Sequence, residues 1–148
     1  RSPRARQHFN LHASYEEPCQ RLLNAIEPGS YIPPHRHAID PKTESLIAVR
    51  GFFALILFDD TGTVADVVRF GSERDLESSA TSIGAELQPG AWHTVLALAP
   101  GSVLLEIKAG PFLPTAAKEL APWAPVESSA DVPAYLRFLE EAVRRSGE

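Results

Sequence analysis

The stretch Gly29-Ser30-Tyr31-Ile32-Pro33-Pro34-His35-Arg36-His37 decides how this chain is read, together with Glu44, Gly51 and the later run Pro89-Gly90-Ala91-Trp92-His93. His35 and His37 stand two residues apart, so on an extended strand both imidazoles leave the same face and can grip one ion. Glu44 and His93 are the candidates to complete the shell. Imidazole nitrogens with one carboxylate suit a divalent transition ion, Fe, Mn, Ni or Zn, better than calcium or magnesium, which take mostly oxygen. A histidine pair is weak by itself. The glycines that accompany the ligands, Gly29, Gly51 and Gly90 in its Pro89-Gly90 turn, make it a pattern.

Outward from these residues the chain alternates strand-like runs with tight-turn signals. The expected strands are Gln20 to Ile26, Glu44 to Val49, Phe52 to Asp59, Thr63 to Phe70, Ser82 to Gln88, Trp92 to Ala97 and Ser102 to Ala109. Arg50-Gly51, Asp60-Thr61-Gly62, Pro89-Gly90 and Pro100-Gly101 are the turns between them. Gly71 to Ser79 is polar and reads as an irregular loop or bulge. This spacing predicts an all-β sandwich or barrel, not βαβ units. Near the C-terminus Asp131 is placed to cap a helix with Pro133 in its first turn, and Leu136, Leu139 and Val143 share one face that should cover the barrel. The expected division is an N-terminal arm over 1–19, a barrel core over 20–112, and a Pro-rich segment with the helix over 113–148, all in one domain.

The chain resembles the cupin superfamily, whose first motif is glycine, a spacer, His-x-His, Glu and Gly. Gly29, His35, His37, Glu44 and Gly51 occupy those places. The second cupin motif is matched by Gly90-Ala91-Trp92-His93, with Ala97 where the family has asparagine. Six residues separate His37 from Glu44, more than the family usually has, which leaves Asp40 as the alternative fourth ligand. A narrower resemblance, to the WbuC-type cupin fold metalloproteins, covers most of the chain. It is carried by Arg4 to His12, Gln20 to Asn24, Ser30 to His37, Gly90 to Val95, Glu106 to Phe112 and Lys118 to Glu127. It implies a single cupin, a double-stranded β-helix or jelly-roll barrel with a C-terminal helix, that binds one metal ion; some members are associated with surface polysaccharide loci.

The 148 residues, 44% of them hydrophobic, suffice for one domain with a sizeable core. The longest apolar run, Phe52 to Phe58, is too short to cross a bilayer. The segment starting at Arg1 has no apolar stretch of the secretory kind. The single Cys19 can form no internal disulfide, so a cytoplasmic location is expected. A net charge of −5 argues against a nucleic-acid partner.

Neutral histidines and one carboxylate leave a divalent ion with excess positive charge, so the expected visitor is a small anionic oxygen donor, a sugar acid, an enediol or a carboxylate. Arg4, Arg6, Asn10, His12 and Lys108 are the candidate ligand-binding residues, the first four in an arm able to fold over the barrel mouth. Glu106, Lys108 and His12 are the candidate acids and bases. Glu106 and Lys108 alternate on one strand face, as an inward ion pair would. Lys118, Trp123 and Glu127 lie in the Pro-rich segment after the barrel. Two classes of function follow: a metal-dependent enzyme, an oxygenase or isomerase, and a noncatalytic metal-dependent binding or sensing module. The cupin resemblance and the apolar strand Phe52 to Phe58 lead us to expect a homodimer.

Overall fold

A computed structural model describes residues 2–72, 82–116 and 118–147. The strands are β1 (Arg6–Asn10), β2 (Cys19–Ile26), β3 (His35–Arg36), β4 (Glu44–Arg50), β5 (Phe52–Phe58), β6 (Val64–Gly71), β7 (Gly84–Leu87), β8 (Trp92–Ala97), β9 (Ser102–Ala109) and β10 (Glu119–Leu120). A 3-10 turn spans Pro114–Ala116, and the one α-helix among the described residues, α1, spans Val132–Arg145. The strands form two five-stranded sheets, one in the order β1-β2-β9-β4-β7 and the other β10-β3-β8-β5-β6. All the pairings are antiparallel. This is a jelly-roll sandwich with a C-terminal helix: the strand and turn pattern implied the sandwich, and the cupin resemblance implied the jelly roll.

Alternation explains the first sheet. On β4, Glu44, Leu46 and Ala48 are buried, whereas Ser45 and Ile47 are only half-buried and Val49 is exposed, because successive side chains leave opposite faces. The second sheet is apolar on both faces, and β5 accordingly runs without alternation. Its Phe53 and Leu55 join Ile26, Leu46, Phe70 and Leu104 in the core between the sheets. Its Ala54, Ile56 and Phe58 pack outward against Leu139 and Val143 of α1 and against Trp123. The run Phe52–Phe58 is therefore a central strand covered by its own helix. It offers no edge or open face for pairing, so this ground for a homodimer is removed.

Trp92–Ala97 and Ser102–Ala109 have the expected bounds, and the other five expected strands are shifted by one or two residues. Gly51 turns β4 into β5 at φ +79°, and a Cβ there would stand 2.2 Å from the Ser102 Oγ. A side chain would meet both strain and a clash at this position. Of the loop expected over Gly71 to Ser79, Gly71 closes β6 and residues 73–79 lie outside those described. Asp131 does stand at the N-cap of α1, but its carboxylate makes no capping hydrogen bond; it approaches the Ser129 Oγ at 3.3 Å instead. Among the described residues no helix is long and apolar enough to cross a membrane.

The N-terminal segment is not a loose arm. Arg6 to Asn10 pairs along β2, from Arg6 opposite Ile26 to Asn10 opposite Leu22, as an edge strand of the first sheet. Its polar sequence hid it: parity places Arg6, His8 and Asn10 over the concave face, which is polar here.

Candidate metal centre

β3 is only two residues long, yet it sets the site. His35 lies directly opposite His93 of β8 in the antiparallel register, and His37 follows two positions on. The three rings converge, with centroid separations of 4.3 Å (His35 to His93), 5.5 Å (His35 to His37) and 5.9 Å (His37 to His93). One ligand nitrogen from each lies within 4.8 Å of the others, a group able to hold a metal ion.

Two of the tautomers are fixed by the backbone. The Nδ1 of His35 lies 2.9 Å from the Pro33 carbonyl, and the Nδ1 of His93 lies 2.9 Å from the Ala91 carbonyl. A carbonyl can only accept, so each Nδ1 carries the proton and each Nε2 keeps its lone pair, the arrangement a metal ligand needs. Burial, aided at His35 by the neighbouring His93, Lys118 and His37 charges, holds the His35 imidazole well below its ordinary pKa. Burial also lowers His93. Both rings are neutral near pH 7 and need lose no proton to bind a cation.

Glu44 comes from the opposite sheet. It opens β4 and is 4% exposed, and its Oε2 stands 3.5 Å from the His37 Nε2. That oxygen is buried and has no hydrogen-bond partner among the described residues. Burial would raise this carboxyl, but His37, Lys108, Glu106 and His93 together hold it below its ordinary value. A buried, ionised, unsatisfied oxygen beside imidazole nitrogens is a costly arrangement for a protein and a fitting one for a cation. Asp40, the alternative, is engaged by Lys42 at 2.8 Å.

Glu106 and Lys108 project from β9 onto the same concave face as Glu44. Lys108 lies opposite Glu44 in register, and Glu106 lies opposite Leu46. The expected ion pair between them is not formed. The Oε1 of Glu106 accepts from the Asn24 Nδ2 at 3.1 Å, and Lys108 stands 5.6 Å over the Phe112 ring. Burial and the adjacent Glu44 charge push the Glu106 carboxyl upward, because two carboxylates sharing one enclosed site resist ionising together.

A cavity of about 280 Å³ opens beside the histidines, lined by Asn10, His12, Glu106, Lys108 and Lys118 among others. A second, of about 340 Å³, shares Glu106 and Lys118 and extends to Arg4 and Arg6. The candidate ligand-binding residues thus fall into different roles. Asn10 and Lys108 face the first cavity. His12 faces it too, but its Nδ1 is taken up by the Arg21 backbone, 3.1 Å from the amide and 2.8 Å from the carbonyl. Arg4 and Arg6 are held by Glu127 at 2.7 and 2.9 Å, and Arg6 also donates to the Tyr31 carbonyl at 2.8 Å. They fasten the edge strand to the segment after the barrel. Trp123 packs against Phe58 and Trp92 as core. His8, Gln20 and Asn24 also line the first cavity and were not singled out as ligand residues in the sequence; the parity of β1 and β2 was the signal that could have found them.

A family profile described as a domain of unknown function (DUF6016) matches residues 1–70. No curated protein matches the chain. Among solved structures, the chain is similar to KdgF from Halomonas sp., at 15% identity over 74% of this chain and 82% of that one, with a TM-score of 0.54. It is similar to an oxalate oxidase in complex with the substrate analogue glycolate, at 14% identity over 97% and 67% of the two chains and a TM-score of 0.59. It is also similar to a cupin-2 domain from Rhodospirillum rubrum, at 14% identity over 90% and 78% and a TM-score of 0.51. With two antiparallel sheets, a histidine group between them and these likenesses, the chain has the cupin fold.

Proposed function

We propose that this protein binds one divalent transition ion, Fe, Mn, Ni or Zn, through His35, His37, His93 and Glu44, and uses it to hold or transform a small anionic ligand. The observations that carry this reading are the three converging imidazoles, two of them with Nε2 lone pairs freed by backbone carbonyls, and the unsatisfied Oε2 of Glu44 beside His37. A bound ion would supply Lewis acidity and a site for an oxygen donor. The residues around it would do the rest. Lys108 and Lys118 line the cavity and have no ion-pair partner among the described residues, so they favour a sugar-derived or carboxylated anion. Asn10 adds a side-chain amide able to meet a hydroxyl or carbonyl.

Glu106 separates the two functional classes. As a carboxyl able to keep a proton near pH 7 in the cavity, it could give or take one at a bound ligand, as an enzyme requires. A noncatalytic binding or sensing module would need it only as a hydrogen-bonding wall. The metal-dependent enzyme, an oxygenase or isomerase, is the reading we favour for this reason. The narrower placement among the WbuC-type cupin metalloproteins rests on the sequence segments from Arg4 to Glu127. A cytoplasmic location is supported by the lone Cys19, and we further propose that the protein works as a homodimer.

The test is metal analysis of protein purified without an affinity tag, followed by calorimetric titration with sugar acids and simple carboxylates, aerobically and anaerobically. Near one equivalent of metal is expected, with anion affinity reduced about tenfold or more in Lys108→Gln. Protein that takes up no divalent ion would refute the metal reading. Metal-loaded protein that prefers neutral sugars would refute the anionic ligand. Turnover that survives in Glu106→Gln would remove that residue's proton role.

A further inference from the structure

The two cavities beside the histidines are lobes of one chamber. They share His8, Asn24, His35, Glu44, Glu106 and Lys118 as walls, so they meet at the metal centre. The first lobe offers Lys108 to an anion. The second, of about 340 Å³, reaches Arg4 and Arg6, and its volume is within the range of small-molecule pockets. Ile32, Leu46 and Val95 form the apolar part of its wall, a surface for a carbon chain.

This second lobe carries more positive charge than the fold consumes. Glu127 accepts from both arginines, 2.7 Å from the Arg4 Nε and 2.9 Å from the Arg6 Nη2. Lys118 directly precedes β10, whose Glu119 and Leu120 pair with Arg36 and His35. It adds a third cation with no ion-pair partner among the described residues. Loss of solvent around its ammonium, then the charges of Arg6 and Arg4, lower the Lys118 pKa, with Glu127 and then Glu106 pulling the other way. The residue is exposed overall, so this shift leaves it charged near neutrality. The Arg6 side chain is 9% exposed. Besides Glu127 it donates to the Tyr31 carbonyl at 2.8 Å and the Ser30 Oγ at 3.4 Å, and a guanidinium has five donors. Three cations about one carboxylate leave two positive charges. Fastening the edge strand needs only the charge that Glu127 matches.

We propose that the excess is a phosphate subsite: the ligand is a hydroxy or sugar acid whose acid end sits at the histidines and Lys108 and whose far-end phosphate sits among Arg4, Arg6 and Lys118. This rests on the metal-centred anion site proposed above and adds the other end of its ligand. A phosphate monoester carries a charge of about −1.5 to −2 near pH 7, which matches the excess, whereas a second carboxylate would offset half of it. Guanidinium groups suit phosphate oxygens through their paired N–H donors. The apolar wall lowers the local dielectric and strengthens that attraction.

Calorimetric titration of metal-loaded protein at about pH 7.5, where the phosphate is dianionic, compares gluconate, glucarate and 6-phosphogluconate, which share a carbon chain and differ at the far end. 6-Phosphogluconate should bind about tenfold or more tighter than either of the others. Lys118→Gln should cut that preference about tenfold, while Lys108→Gln weakens all three alike. Should Lys118→Gln fail to fold, Arg4→Gln, at a side chain 57% exposed, is scored in its place. Equal binding of gluconate and 6-phosphogluconate overturns the phosphate subsite and leaves the metal-centred anion site standing. Glucarate bound as tightly as 6-phosphogluconate overturns phosphate in favour of a second carboxylate. Metal-free protein that binds 6-phosphogluconate as tightly as loaded protein overturns a ligand reaching from one end to the other. A preference kept in full by the scored variant overturns the assignment to these residues. Loaded protein that binds none of the three overturns the anionic reading and this proposal together.

Discussion

At the scale of single residues, the proposed fourth ligand is where structure adds most to the motif. Asp40 and Glu44 are both carboxylates close after His37, and spacing leaves either open. The structure separates them by partner: Asp40 is tied to Lys42, while Glu44 is buried with an unsatisfied oxygen 3.5 Å from the His37 Nε2. Glu44→Gln should therefore weaken metal binding by at least about 10- to 100-fold, the range already typical of losing a residue that only supports a ligand, whereas Asp40→Asn should leave it unchanged. Competition titration with a chelator reads both, and the reverse ranking would make Asp40 the ligand.

At the scale of elements, α1 decides how the second sheet can be apolar on both faces. Its polar side carries Glu141 paired with Arg145 at 3.2 Å, an exposed contact of little energetic weight. Its buried side carries Leu139, at 0% exposure, against Ile56 and Phe58 of β5. Leu139→Ala should cost about 2–5 kcal/mol, the range for a buried leucine that leaves a cavity, measured by denaturant unfolding. A cost below about 1 kcal/mol, the surface range, would show that the helix is not needed as the sheet's cover.

At the scale of the whole molecule, the buried ionisable groups tie stability to pH in the metal-free protein. His35 and His93 have lowered values, so below the ordinary histidine pKa of about 6.5 the unfolded chain binds more protons and acidification destabilises. Glu106 acts with the opposite sign. Its raised value, near 8, means the folded chain keeps a proton the unfolded chain has lost, so stability falls as pH rises through the carboxyl range toward 8. Below about 6.5 two histidines oppose one carboxyl, and above it Glu106 acts with no histidine against it, so maximal stability is expected near pH 6.5. Thermal unfolding across pH 5 to 8.5 should show that maximum, and Glu106→Gln should flatten its alkaline side. An unchanged alkaline slope in the variant would assign it to another group.

The sequence by itself determined the metal motif, the parity of its strands, the glycine turns and the apolar face of the terminal helix. These are local properties: a period of two along a strand, a positive φ at Gly51, a period near 3.6 in Leu136, Leu139 and Val143. Tertiary structure decided what depends on partners far away in the chain. It made Arg6 to Asn10 a strand, because β2 offers an edge and the concave face tolerates polar residues. It made Phe52–Phe58 a central strand, because α1 returns to cover it. It brought Glu44 of the first sheet beside His37 and set Glu106 in a cavity it shares with His35 and His93. No spacing along the chain encodes those approaches, since they follow from two sheets closing over a shared core.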